Sequence, residues 1–156
     1  MQFNLQPHPE GGWYAETYRS EETTTGLPER FKGPRNFSTA IYFLMPGNSF
    51  SAFHRIKSDE LWHFYDGDMM EVLIIDLQGN LQVIRLGRDT DKGEVFQATV
   101  YSGQWFASRC SVEDGVSLVG CTVSPGFDFE DFEMADRSAL TVQYPQHKEI
   151  ITELTR

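Results

Sequence analysis

An all-β barrel or sandwich is the fold class this sequence predicts, on three observations. Short apolar or alternating runs recur along the chain, each closed by turn residues. Twelve Phe in 156 residues supply large rings for a core or a ring-lined pocket. Helix-like spacing is confined to the C-terminal end. With 40% hydrophobic residues the chain can bury a full core, so residues 1–156 are read as one domain.

The elements follow in order. Residues 13–18 form a first strand after Pro9, Gly11 and Gly12. Residues 21–35 run through Gly26, Pro28, Gly33 and Pro34 and read as a long loop, a candidate lid. A strand over 37–44 stops at Pro46 and Gly47. Strands 51–56 and 60–65 are expected to pair as neighbours across the turn at 57–59. Asp66 and Gly67 make the next turn. Residues 69–77 are a nearly continuous apolar strand, which Gln78, Gly79 and Asn80 turn into a strand over 81–86. Runs at 95–100, 105–108 and 116–123 complete the set. The aromatic and acidic run 127–132 reads as a strand or turn whose rings cover an open barrel end, with its acids in solvent. A helix follows Pro145, with Ile150, Ile151 and Leu154 on one face. There is no internal repeat and no linker.

Composition excludes some partners. Net charge is -10 and the pI about 4.7, which repels phosphate backbones, so no nucleic-acid partner is expected. No apolar run is long enough to span a membrane. The N-terminus shows no secretory pattern, which sets a cytoplasmic expectation. Cys110 and Cys121 fit no CxxC pattern and read as buried, reduced residues.

The richest stretch holds Gly47, His54, Ile56, Glu60 and Gly67. Its spacing resembles the first motif of a cupin barrel, which runs Gly, His-x-His, three residues, Glu, six residues, Gly. The second histidine is replaced by Ile56. Strand alternation puts His54 and Ile56 on one face. It puts Glu60, Trp62 and Phe64 on one face of the next strand, and Leu61, His63 and Tyr65 on the other. His63 therefore has the wrong parity to replace the lost ligand. The second cupin motif would place a ligand where Phe106 stands, in the run Tyr101 to Phe106. Only His54 and Glu60 keep ligand-capable side chains, while zinc and redox metals want three or four. No cofactor is expected; a weakly held divalent metal, if one binds, would use these two.

Two readings of the pair stay open. His54 and Glu60 can hold each other, or the backbone, as a structural pair. Alternatively, a neutral imidazole and a carboxyl of raised pKa can move a proton on a small substrate. Tyr42, Trp62, Phe64, Trp105 and Phe106 are candidate pocket walls. Arg19 and Arg55 are candidate anchors for an anionic group, against the plainer reading of solvated or paired arginines. Tyr14 and Tyr18 could donate a phenolic proton or simply pack. His8 and His147, near the termini, are expected to be exposed. Gly11 and Gly12 are not part of a phosphate-cradling loop.

The likeness extends beyond one motif. The run from His8 to Ser20, which opens His8-Pro9-Glu10-Gly11-Gly12-Trp13-Tyr14, with residues 38–44, 53–63, 118–132 and 144–147, resembles the DUF985 or cupin_5 group of the cupin superfamily. That resemblance implies a double-stranded β-helix, or jelly roll, with a short C-terminal helix. It is the general type of the sugar-nucleotide epimerase that makes dTDP-rhamnose precursors. It also implies a homodimer, and places His54 and Glu60 at the barrel site. Two departures stand out. Only seven residues precede His8, where relatives often begin with a helix. Phe106 stands where relatives often carry Gln, which makes this pocket drier. The expected function is a cupin binding a small molecule, with epimerase- or isomerase-like proton transfer on a sugar-like or other small polar substrate. In it His54 would be the base and Glu60 its orienting carboxylate or the acid. A non-catalytic carrier or sensor, and a metal-dependent oxygenase or isomerase, are the alternatives.

Overall fold

The computed structural model describes residues 3–156. Two antiparallel sheets enclose one core in a jelly roll. The six-stranded sheet runs β1 (Gln6–Pro7), β2 (Trp13–Arg19), β5 (Thr39–Pro46), β12 (Val116–Ser124), β7 (Asp59–Gly67) and β10 (Gln97–Val100). The five-stranded sheet runs β13 (Glu133–Met134), β6 (Phe50–Arg55), β11 (Trp105–Cys110), β8 (Met70–Ile75) and β9 (Leu81–Leu86). A small ribbon pairs β3 (Thr23–Thr24) with β4 (Arg35–Asn36). No described helix is long and apolar enough to cross a membrane.

Phe43, Trp62, Met70, Val72, Phe106 and Val119 interlock between the sheets. Each such side chain contributes roughly 1.5–3 kcal/mol by leaving water. A second cluster lies on the outer face of the five-stranded sheet. There α1 (Arg137–Gln143) and α2 (Lys148–Glu153), through Leu140, Ile151 and Leu154, cover Phe53, Leu73, Ile75 and Trp105. This double burial explains why β8 is apolar at nearly every position. The helix expected after Pro145 is α2. The sequence reading missed α1, seven residues long with one buried side chain, started by Asp136 Oδ1 accepting the Ala139 N–H at 2.8 Å.

The β8–β9 hairpin matches expectation. Asp76 Oδ1 accepts the Gln78 and Asn80 N–H groups at 2.9 and 2.8 Å, closing the turn. The expected pairing of the strands flanking 57–59 does not occur. Strand β6 pairs with β11 and β13, whereas β7 pairs with β12 and β10. The short connection crosses from one sheet to the other, so His54 and Glu60 face each other across the barrel's inside.

Residues 21–35 are not an open loop. The Arg35 guanidinium is 4% exposed and grips both Asp131 oxygens at 2.7 and 2.8 Å, with Glu130 at 3.1 Å. Phe31 is buried alongside. The expectation that the acids of 127–132 lie in solvent fails at Asp131, because Arg35 supplies the charge that lets it be buried.

Candidate functional site

A cavity of about 360 Å³ lies between the sheets. Strand β6 supplies His54 and Ile56, β7 supplies Glu60 and Trp62, and β12 supplies Cys121. Tyr14 and Arg19 come from β2, and the turn before β2 supplies His8 and Glu10. Phe127, Phe129 and Phe132 stand at the mouth. The Trp62 indole N–H has no partner among the described residues.

Local backbone explains how Glu10 gets there. Gly11 has φ of 116°, and a Cβ on it would lie 2.0 Å from the Phe50 carbonyl oxygen. Only glycine allows that approach. The turn therefore docks on β6, where the Glu10 carbonyl accepts from Ala52 N–H at 2.9 Å and from Arg156 at 2.6 Å. Strand β6 also carries a bulge. Three steps from His54 to Ser51 oppose two steps from Phe106 to Ser108. Both Ser51 and His54 can therefore face inward.

Glu10 Oε2 meets His54 Nε2 at 2.7 Å, and His54 Nδ1 lies 2.7 Å from the Ala52 carbonyl. The Nδ1 contact is a hydrogen bond and the Nε2 contact an ion-pair approach, and both oxygens favour the protonated ring. Burial opposes that charge, but Glu10, the Ala52 carbonyl and Glu60 outweigh it and raise the His54 pKa. Burial likewise pushes Glu10 up, and the His54 charge, its hydrogen bond, His8 and Ser51 hold it below the ordinary value. The imidazolium lies between the Phe106 ring, with centroids at 4.0 Å, and the Phe132 ring at 5.3 Å. The geometry disfavours the neutral His54 base expected from sequence, because both ring nitrogens already face protein oxygens.

Glu60 behaves differently. Burial pushes its carboxyl up, His54 pulls it down, Glu10 pushes it up again, and it settles at about 7. It forms no ion pair among the described residues, and it faces the Cys121 thiol, whose own pKa burial drives well above the ordinary value. His8 is the reverse of His54. Burial lowers its pKa despite Glu10, and its Nδ1 accepts the Glu10 N–H at 3.3 Å. The proton of this neutral ring therefore sits on Nε2.

The donor set does not fit the metal centre that cupins commonly hold. Ile56 and Phe106 occupy two ligand positions. Both His54 nitrogens are already engaged by protein oxygens. No group of three potential ligands is arranged for an ion among the described residues.

His54, Glu60 and Trp62 meet in the cavity as expected, with Phe106 packed behind His54. Other candidates lie elsewhere. Tyr42 follows the opposite parity to Phe43 and packs outside on Phe3 and Tyr65. Arg55, next to His54 and so on the other face, sits 4.4 Å over Trp105 and pairs with Glu133 at 2.7 Å. Trp105 is under the helices. Phe64 faces inward but packs in the core under Arg88, away from the cavity. Arg19 lines the mouth, but it cannot serve as a free anion anchor. It binds Glu16 at 3.0 and 2.8 Å, Asn36 at 2.8 Å and the Phe127 carbonyl at 3.0 Å. His8 is not exposed but lines the cavity, and His147 is half-buried against the Gly79 carbonyl at 2.8 Å. His63 lies outside, 3.1 Å from Thr122 Oγ1. The residues missed are Glu10 and His8. Their signal was the His8-to-Gly12 run, where paired glycines announce a close backbone approach.

The comparisons agree with this architecture. Residues 1–135 match the family described as Cupin_5: Cupin superfamily (DUF985). An uncharacterized protein of Saccharomyces cerevisiae, YML079W, is 31% identical over 140 residues, 83% of this chain and 69% of that protein. Protein SO0799 from Shewanella oneidensis has a TM-score of 0.88 at 41% identity, over 99% of this chain and 93% of that one. A hypothetical protein from Leishmania major has a TM-score of 0.88 at 36% identity, over 97% and 93%. Oxalate decarboxylase from Bacillus subtilis shares the fold alone, with a TM-score of 0.59 at 16% identity over 98% of this chain and 37% of that one. With its barrel, its His54-to-Gly67 frame and a family match covering most of its length, this chain belongs to the Cupin_5 family of the cupin superfamily.

Proposed function

We propose that the cavity binds a small polar molecule and moves a proton on it, as an isomerase or epimerase does. The observation that carries this reading is Glu60: a buried carboxyl with no ion-pair partner among the described residues, poised at about 7 on the wall of the cavity. A proton carrier works best with a pKa near ambient pH. Glu60 takes a proton from a carbon next to a ligand carbonyl. The C–H electron pair moves into the enolate, whose oxygen accepts a hydrogen bond from His8 Nε2–H. For a ligand with a hydroxyl on that carbon, Glu60 then delivers the proton to the former carbonyl carbon while the hydroxyl proton passes to the enolate oxygen, so carbonyl and hydroxyl exchange places. The Glu10–His54 pair does not exchange protons with the ligand. It supplies a fixed dipole and holds His8 through the Glu10 N–H.

Native mass spectrometry of the purified protein identifies a retained ligand, and NMR in heavy water then follows its carbon-bound hydrogens. Exchange with solvent deuterium that depends on the protein, and drops at least about 100-fold in Glu60→Gln, is the expected result. A ligand that binds without exchange makes the cavity a carrier or sensor site instead.

A further inference from the structure

We propose that the ligand carries a small organic cation, an amine or quaternary ammonium group, held among the mouth rings beside Glu60. The inference rests on the cavity being a ligand site and specifies the class of ligand. An anionic ligand lacks an obvious anchor. The Arg19 guanidinium is engaged by Glu16, Asn36 and the Phe127 carbonyl, and the His54 imidazolium by Glu10 and the Ala52 carbonyl. The negative side is different. Glu60 is 8% exposed, lines the cavity and forms no ion pair among the described residues. Asp128 adds a second carboxylate to the lining, with one oxygen accepting the Glu130 N–H at 2.9 Å and its charge shared with Arg19 and Arg35.

The rings supply the second argument. Phe127, Phe129 and Phe132 stand nearly perpendicular to one another. Their interplanar angles are 83°, 71° and 69°, at centroid separations of 4.9, 6.4 and 6.0 Å. All three line the cavity and pack edge to face, which leaves part of their π-faces uncovered by one another. His8 lines it beside them, 6.4 Å from Phe129 and 4.8 Å from Tyr14. A cation gains from such faces through the ring quadrupoles, and more so where water is excluded. A neutral group of the same shape gains only its apolar burial.

The test compares choline with 3,3-dimethylbutan-1-ol, which replaces the charged nitrogen by carbon at constant shape. Titration calorimetry, or ligand-observed NMR for weak binding, gives both dissociation constants. Choline is expected to bind about tenfold more tightly than the alcohol. In Glu60→Gln this ratio falls toward one while the alcohol's affinity holds, which also reports an intact cavity. Phe129→Leu, at a half-exposed position that does not threaten the fold, lowers the ratio about threefold. Equal affinities in the unaltered protein, or no choline binding at tens of millimolar, overturn the proposal. The proton-transfer reading is decided separately, by deuterium exchange. A neutral ligand that exchanges would leave that reading standing and remove this one.

Discussion

Glu10 and Glu60 line one cavity at nearly equal burial, 6% and 8% exposed, yet they carry protons differently. On the β6 wall Glu10 meets His54 at 2.7 Å and is held below its ordinary value. On the β7 wall Glu60 faces a thiol and sits at about 7. Burial alone would raise both. What separates them is a cation in contact with one and not the other. Under the proposed function, two carboxyls pushed apart in this way divide the work, one fixed as a charge and one free to take and give a proton.

The largest effect should come from breaking the β6 wall. Glu10→Gln keeps the shape but removes the partner of a buried imidazolium. Loss of one partner from a buried pair costs up to roughly 3–5 kcal/mol, because the other group must either stay charged without compensation or give up its proton. Urea denaturation at neutral pH should show that loss. Nitrogen NMR of the His54 ring should show it neutral at a pH where the parent ring is charged. A loss below about 1 kcal/mol would mean that the ion pair is not what fixes this wall.

Glu60→Gln comes next and acts through pH. The folded-state value of about 7 lies above the ordinary 4.5, so the folded protein holds this proton more tightly than the unfolded chain. Its contribution is fully present below about 4.5 and is lost as pH rises through about 7. Between pH 4 and pH 8 the stability difference should therefore move in favour of the variant by on the order of 3 kcal/mol. Parallel stability curves for the two proteins would contradict the assignment.

How much of this contrast could be read from sequence depends on the residue. The β7 wall was legible because strand alternation is rigid arithmetic. It placed Glu60 and Trp62 on one face and His63 on the other, and it paired Ile56 with His54 on one face, as the cavity lining shows. The same arithmetic excludes Tyr42 and Arg55, whose neighbours Phe43 and His54 point in. The β6 wall was legible only in half. His54 lies in the motif, but its partner arrives from a turn more than forty residues earlier. Gly11 and Gly12 announce that some backbone comes close, not which one. The charge state of His54 was hidden with it, since an imidazole's protonation follows from what its two nitrogens meet. The fold itself was secure from alternation and turns. The crossing from β6 to β7 was not, because a three-residue connection fits a hairpin equally well.

The smallest test adjusts the β7 wall without removing its carboxyl. The Cys121 thiol faces Glu60, and its hydrogen bond favours the charged form. Cys121→Ala removes that donor and leaves a neutral methyl. The Glu60 midpoint should then rise, by less than about one unit, since one weak donor is lost and the burial stays. The protein should lose about 1 kcal/mol or less, because only a sulfur atom is deleted from the packing. Carbon-13 NMR titration of the Glu60 carboxyl reads the midpoint directly. A fall instead of a rise would show that the thiol was repelling the carboxylate, and that something other than burial sets the β7 wall apart.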